Sequence, residues 1–192
     1  EPPTELVIAG DVGTPICLTA DESFVFVCDN AELKRFPLDG GEPTVLWDAA
    51  PYNIFKVARA GGRVLASTHT TLHSVEIDGT GGVDLLRGER LHLGLAATDE
   101  RAYAVEGTTI TSVPLAGGAP RVQRFDLPTG VLVAGEKLWV IEGDAGSDNY
   151  VFHIQGLDQS VIEGAFAIGT SLPAWKPELM VSTTSSVYLG SD

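Results

Sequence analysis

Short apolar runs, broken by Gly, Asp and Glu turns, recur along the chain at nearly even intervals. The stretch LKRFPLDGGEPTVLW, from Leu33 to Trp47, returns as LHSVEIDGTGGVDLL from Leu72 to Leu86. It returns again as ITSVPLAGGAPRVQRF from Ile110 to Phe125. Each copy is a strand, a Gly-containing turn that supplies positive φ, and a second strand. Apolar cores of one further strand type lie at Phe24–Val27, Val64–Ala66, Ala102–Val105, Leu138–Ile141 and Leu179–Val181. Their first residues are spaced by 40, 38, 36 and 41 positions, close to the repeat of a four-stranded propeller blade. Runs such as FVFV and LWVI are apolar without alternation, as strands buried on both faces are.

Four strand types, a to d, follow from this register. Strand b is the core just described, and a polar turn separates it from the preceding strand a. Pro37, Glu76 and Pro114 occupy matching positions in strand c; proline cannot donate to a ladder, so the position reads as a strand end or an unpaired edge. Strand d is expected at Thr44–Trp47, Asp84–Leu86, Arg121–Phe125 and, more weakly, Ser160–Glu163. The fifth copy lacks strand d. The N-terminal EPPTELVIAG resembles GEPTVLWDAA of the first copy, so Glu5–Ala9 is expected to supply the missing strand and close the ring. The expectation is one all-β domain over residues 1–192, a five-bladed β-propeller of four-stranded antiparallel blades closed by its N-terminal strand, with a fragment of a larger ring as the alternative.

Composition narrows the function classes. Lys and Arg number 12 against 26 Asp and Glu, a net charge of −14. Such a surface argues against a nucleic-acid partner and against anionic membranes. No run of 18 apolar residues is present, so no inserted helix is expected. The first residue is Glu1, read as a processed or trimmed end. Cys17 and Cys28 are the two cysteines. If Asp21–Phe24 is a tight turn, residues whose numbers sum to 45 face one another, and 17 + 28 is 45. A disulfide is then geometrically open to the pair, two packed thiols being the alternative. A bridge would favour a secreted or periplasmic setting.

The repeat, a V-Y/F-V-like strand followed by L-x-R-F/V-P-L-D-G-G, resembles those of bacterial secreted propellers of the YWTD, NHL and TolB type. The YWTD tetrapeptide itself and the GH…WD pattern are absent. A five-bladed ring resembles tachylectin-2-like lectins and the arabinanase and levansucrase-like glycosidases. The lectin resemblance implies the same polar residues in every blade, whereas the loops here differ.

In such a ring the d-to-a and b-to-c loops share one face, and loops on a rigid scaffold carry function. Tyr52, Asn53 and Trp175 are candidates for a sugar site, an aromatic face beside an amide. His69 and His92, with Glu106, could bind a ligand or a transition metal. Glu142, Asp144 and Asp148, in the stretch Glu142–Tyr150 that breaks the repeat, offer the hard oxygens Ca²⁺ takes, in no EF-hand spacing. Asp29, Glu106, Glu142 and Asp144 are candidate glycosidase carboxylates. His73 and His153 fall in strand c and read as packed or surface residues; Trp47 and Trp139 read as core between blades. No nucleophile elbow, haem motif, P-loop or dinucleotide fingerprint is present. The expected function is a monomeric, non-enzymatic binding module without a resident cofactor, holding a carbohydrate, peptide or protein at the loop face. A glycoside hydrolase or lyase is the alternative, and a structural scaffold the second.

Overall fold

The computed structural model describes residues 15–91, 93–143, 149–159, 162–169, 179–182 and 187–190. It divides into two compact units, Glu1–His92 and Leu93–Asp192. The strands are β1 (Pro15–Ala20), β2 (Phe24–Asp29), β3 (Glu32–Pro37), β4 (Thr44–Asp48), β5 (Lys56–Ala60), β6 (Arg63–Ser67), β7 (Thr71–Glu76) and β8 (Val83–Arg87) in the first unit. The second unit holds β9 (Leu95–Ala97), β10 (Arg101–Glu106), β11 (Thr109–Pro114), β12 (Arg121–Arg124), β13 (Pro128–Ala134), β14 (Lys137–Gly143), β15 (Asn149–Gly156) and β16 (Ile162–Gly169). It also holds β17 (Leu179–Ser182) and β18 (Val187–Gly190). Consecutive strands pair antiparallel into four four-stranded sheets, each in sequence order, and β17 pairs with β18. The protein is all-β, and its four four-stranded sheets follow the a-b-c-d strand order of the repeat.

The repeat persists down to dihedral angles. In the turn after β3, Gly40 and Gly41 sit at φ +89° and +132°; after β11, Gly117 and Gly118 sit at +87° and +127°. A side chain at any of these four would be strained. Pro37, Glu76 and Pro114 end β3, β7 and β11. Ala20 pairs with Val25, Thr19 with Phe26, Leu18 with Val27 and Cys17 with Cys28, each pair summing to 45, until the register shifts between Cys17 and Pro15. The cysteines are joined, with Cα atoms 5.1 Å apart.

Each unit has its own core. In the first, Phe26, Cys28 and Leu33 of one sheet meet Val64, Ala66 and Val75 of the next, with Ile54 between and Trp47 at the margin. In the second, Tyr103, Val105, Ile110 and Phe125 meet Val131, Leu138 and Val140. Fully burying one such side chain contributes roughly 1.5–3 kcal/mol.

Two boundaries differ from expectation. Strand d of the fourth sheet is β16, Ile162–Gly169, longer and later than the expected Ser160–Glu163. The strand runs on through Gly164 because Ile154 faces it across the ladder, and a bulge at Ile154/Gln155 shifts the register. Glu142, Gly143 and Tyr150 are ladder residues, with Gly143 opposite Tyr150, so the loop is shorter than the expected Glu142–Tyr150. Glu5–Ala9 lies outside the described residues.

Candidate functional site at the loop end of the first unit

Three loops of the first unit are tied together by backbone hydrogen bonds. The β4–β5 loop begins with Asp48, whose Oδ1 accepts the Ala50 N–H at 2.9 Å, and continues through a cis Ala50–Pro51 bond. The Tyr52 N–H donates to Ala49 O at 3.0 Å. The Ile54 N–H donates to Asn30 O in the β2–β3 turn at 2.7 Å, and the Phe55 N–H to Ser67 O at 2.8 Å. Ile54 is fully buried, so the loop is anchored one residue beyond Asn53.

The β6–β7 turn is built on Thr68. Its Oγ1 accepts the N–H groups of Thr70 at 3.2 Å and Thr71 at 3.0 Å, the local bond that favours threonine in turns. His69 is exposed on this turn. The Phe55 ring meets the His69 ring edge to face, with centroids 4.6 Å apart. The segment after β8 completes the end: Gly88 N donates to Thr70 O and Leu91 N to His69 O, both at 3.0 Å, and Leu91 is buried. This anchored end presents Tyr52, 54% exposed, with exposed Asn53, His69 and Thr70. An aromatic ring, an amide, an imidazole and a hydroxyl are the groups that grip a polar ligand with apolar faces.

The structure therefore brings Tyr52, Asn53 and His69 to one end of one unit. His92, Asp144, Asp148 and Trp175 lie outside the described residues. Glu106 belongs to the second unit, where its Oε2 accepts the Thr111 hydroxyl at 3.1 Å. Among the described residues no three His, Cys, Asp or Glu side chains converge as a metal site.

Aligning the sheets exposes a repeated device. Asp29, Thr68, Glu106 and Glu142 hold the same position at the end of strand b, and Lys34, His73, Thr111 and His153 match in strand c. In three sheets the two positions bond. Asp29 Oδ2 accepts from Lys34 Nζ at 2.8 Å, Glu106 from Thr111, and Glu142 Oε2 lies 2.5 Å from His153 Nε2. Glu142 Oε1 also accepts the N–H groups of Asp126 and, at 3.1 Å, Leu127. Burial alone would raise the Glu142 pKa, but His153 and these two N–H groups outweigh it and hold the carboxyl below its ordinary value.

In the second sheet Thr68 caps its own turn, and His73 turns to strand d instead. Its Nδ1 lies 2.8 Å from Asp84 Oδ1, and its ring stacks on Trp47 at 4.3 Å and 8°. Burial works to raise the Asp84 pKa; hydrogen bonds from His73 and Arg87 overcome it and lower it. His153 likewise lies against Phe125, with centroids 5.4 Å apart. Both histidines are thus packed on an aromatic ring and paired with a carboxylate. The shared position of His73 and His153, three residues before the end of strand c, is the sequence signal that marks them.

No family model matches this chain, and no curated protein matches its sequence. Solved structures do match it. The hydrazine synthase of Kuenenia stuttgartiensis is 12% identical, with a TM-score of 0.63 over 85% of this chain and 53% of that one. The computationally designed Ika8 protein is 13% identical, with a TM-score of 0.65 over 93% and 55%. A luciferin-regenerating enzyme is 14% identical, with a TM-score of 0.63 over 93% and 69%. The chain spans about half the length of the first two. At these identities the likeness carries the fold alone, which is propeller-like.

Proposed function

We propose that the chain is a non-enzymatic binding module that holds a carbohydrate at the loop end of its first unit. Tyr52 supplies a stacking face, and Asn53, His69 and Thr70 supply hydrogen bonds to hydroxyl groups. The observation that carries this reading is an aromatic ring left 54% exposed on a loop whose backbone is fixed on both sides. A peptide or protein partner fits the same groups less specifically.

The finer architecture belongs to this reading. The chain would be a five-bladed ring, with β17 and β18 as strands b and c of the last blade and Glu5–Ala9 as its outer strand. The Cys17–Cys28 bridge supports a secreted or periplasmic setting, in keeping with the YWTD, NHL and TolB-type resemblance. The ring would act as a monomer. The hydrolase alternative requires a carboxylic acid of raised pKa. Glu142 is shifted the other way, and Asp29 and Glu106 are bonded to strand c of their own sheets, which favours binding over catalysis.

Thermal unfolding against neutral hexoses, N-acetylhexosamines and uronic acids, with Ca²⁺, Zn²⁺ and EDTA arms, tests the proposal. A ligand at a hundredfold excess over its Kd adds about 2.7 kcal/mol. One sugar class should raise the unfolding temperature, and Tyr52→Ala should abolish that rise without lowering the temperature of the unliganded protein. A shift with Ca²⁺ alone would transfer the site to the loop beside Glu142. No shift with any sugar would refute the carbohydrate reading.

A further inference from the structure

The four sheets differ at their outer strands. A strand edge is a row of unpaired N–H and C=O groups, and bulges are one means of spoiling it as a template. The β3–β4 ladder has a bulge at Leu33/Lys34, the β7–β8 ladder one at Leu72/His73, and the β15–β16 ladder one at Ile154/Gln155. The β11–β12 ladder has none: Thr109, Ile110, Thr111 and Ser112 face Arg124, Gln123, Val122 and Arg121 in unbroken register.

That register fixes which groups point outward. The Phe125 N–H donates to Thr108 O at 2.9 Å, so Phe125 and every second residue before it turn toward β11. The N–H and C=O groups of Val122 and Arg124 therefore point away from the sheet, spaced as one antiparallel repeat. Their side chains share a sheet face. Val122 is 62% exposed, and Arg124 is exposed with no hydrogen bond or ion pair among the described residues. Arg121, on the opposite face, is exposed and gives one N–H to Asp158 O. In a chain of net charge −14, a strand reading Arg-Val-Gln-Arg is a local reversal of sign.

We propose that β12 is a docking edge for an extended, acidic segment of a partner protein, which adds a fifth strand to the third sheet. Backbone bonds to Val122 and Arg124 give the pairing. Val122 covers an apolar residue of the incoming strand, and Arg121 and Arg124 select carboxylates. The chain's own acidity disfavours a second copy as the occupant and leaves the two arginines for a partner of opposite sign.

The probe is a ten-residue peptide of repeating Glu-Thr-Val-Glu, which on an antiparallel strand sets valine against Val122 and glutamate against Arg124 and Arg121, with a lysine-for-glutamate peptide as its control. Amide hydrogen exchange is read on the intact protein. Saturating acidic peptide should slow exchange at Val122 and Arg124 by about tenfold or more and leave Val45 and Val83 on the other outer strands unchanged. Binding should weaken as salt rises. Val122→Pro removes an outward N–H without breaking the β11 ladder, and should abolish protection while keeping the unfolding temperature. Arg124→Glu should transfer preference to the lysine peptide. Protection that is absent, or equal with both peptides, overturns the proposal. So does a dimer in sedimentation that Val122→Pro dissolves, because the edge would then serve a second copy.

Discussion

The two units join their paired sheets by different chemistry. In the first, charge does much of it. Asp21 Oδ2 meets Arg59 at 2.7 Å, the Arg59 guanidinium lies 6.0 Å from the Phe26 ring, and Arg35 donates to Ile77 O at 2.6 Å. In the second, the ties reach the core. The fully buried Tyr103 donates its hydroxyl to Leu157 O at 2.9 Å, and Ser112 donates to Gln159 Oε1 at 2.6 Å. The first unit also has a covalent staple that the second lacks. A guanidinium also crosses the second seam at its margin, from Arg121 to Asp158 O, so the repeat keeps charge at both margins and adds neutral hydrogen bonds inside the second. The two should answer differently to salt, pH and reductant.

The disulfide is the largest lever. It closes a segment of 11 residues, and loop-closure entropy assigns such a bridge about 3 kcal/mol. Cys17→Ala with Cys28→Ala should lower stability by about that amount, and the same loss should follow reductant on the wild type. Hydrogen exchange should show the loss in β1 and β2 and spare β13 to β15. An equal loss in both units would mean that they unfold as one cooperative body.

Tyr103→Phe tests the buried tie. It removes one donor and leaves Leu157 O unsatisfied, at a cost of about 1–3 kcal/mol. Burial pushes the Tyr103 pKa up, so the hydroxyl keeps its proton well beyond neutral pH. The loss measured by denaturant titration should therefore be the same at low and high salt. A loss that shrinks with salt would mean that Arg101 and Arg121 act through the tyrosine.

The same seam has a weak place. Phe36, Val75 and Val113 hold the position before the end of strand c and are almost fully buried. Gln155 holds it in the fourth sheet, equally buried, and neither its Oε1 nor its Nε2 has a hydrogen-bond partner among the described residues. Gln155→Leu keeps the volume and removes two desolvated groups, so stability should rise by about 1–2 kcal/mol. A fall in the melting temperature would instead identify the amide as the anchor of an internal water.

These contrasts were legible in the sequence to different depths. The Cys17–Cys28 pairing followed from arithmetic about one tight turn, because an antiparallel register is fixed until a bulge intervenes, here at Pro15. Tyr52, Asn53 and His69 fell on one end because strand order alone assigns loops to ends. The Glu142–His153 pair was not visible. The two residues are 11 apart and sit diagonally across a hairpin whose strands run further into the Glu142–Tyr150 stretch than its polar residues suggest. β16 was misplaced because Gly164 reads as punctuation, although a ladder accepts a glycine wherever its neighbours pair. Gln155 could be found only by aligning the copies and asking which one puts an amide where the others put Phe or Val.

The smallest effect isolates charge from geometry at the first seam. Burial favours a higher Asp21 pKa, but N–H groups from Ser23 and Phe24, together with Arg59, hold it below its ordinary value. A carboxylate with a depressed folded pKa stabilises above its unfolded pKa, about 3.9, and loses that contribution as pH falls through the folded value. Asp21→Asn keeps an oxygen for the two N–H groups, at 2.8 Å each in the wild type, and removes only the charge facing Arg59. The pair is partly exposed, so the variant should lose less than about 1 kcal/mol at neutral pH and low salt. The difference should close at high salt, and close again in acid once Asp21 is protonated in the folded protein. Tyr103→Phe should show neither trend. If Asp21→Asn keeps its full deficit in both conditions, the turn needs the carboxylate for its geometry, and the contrast between a charged tie and a neutral one fails at this residue.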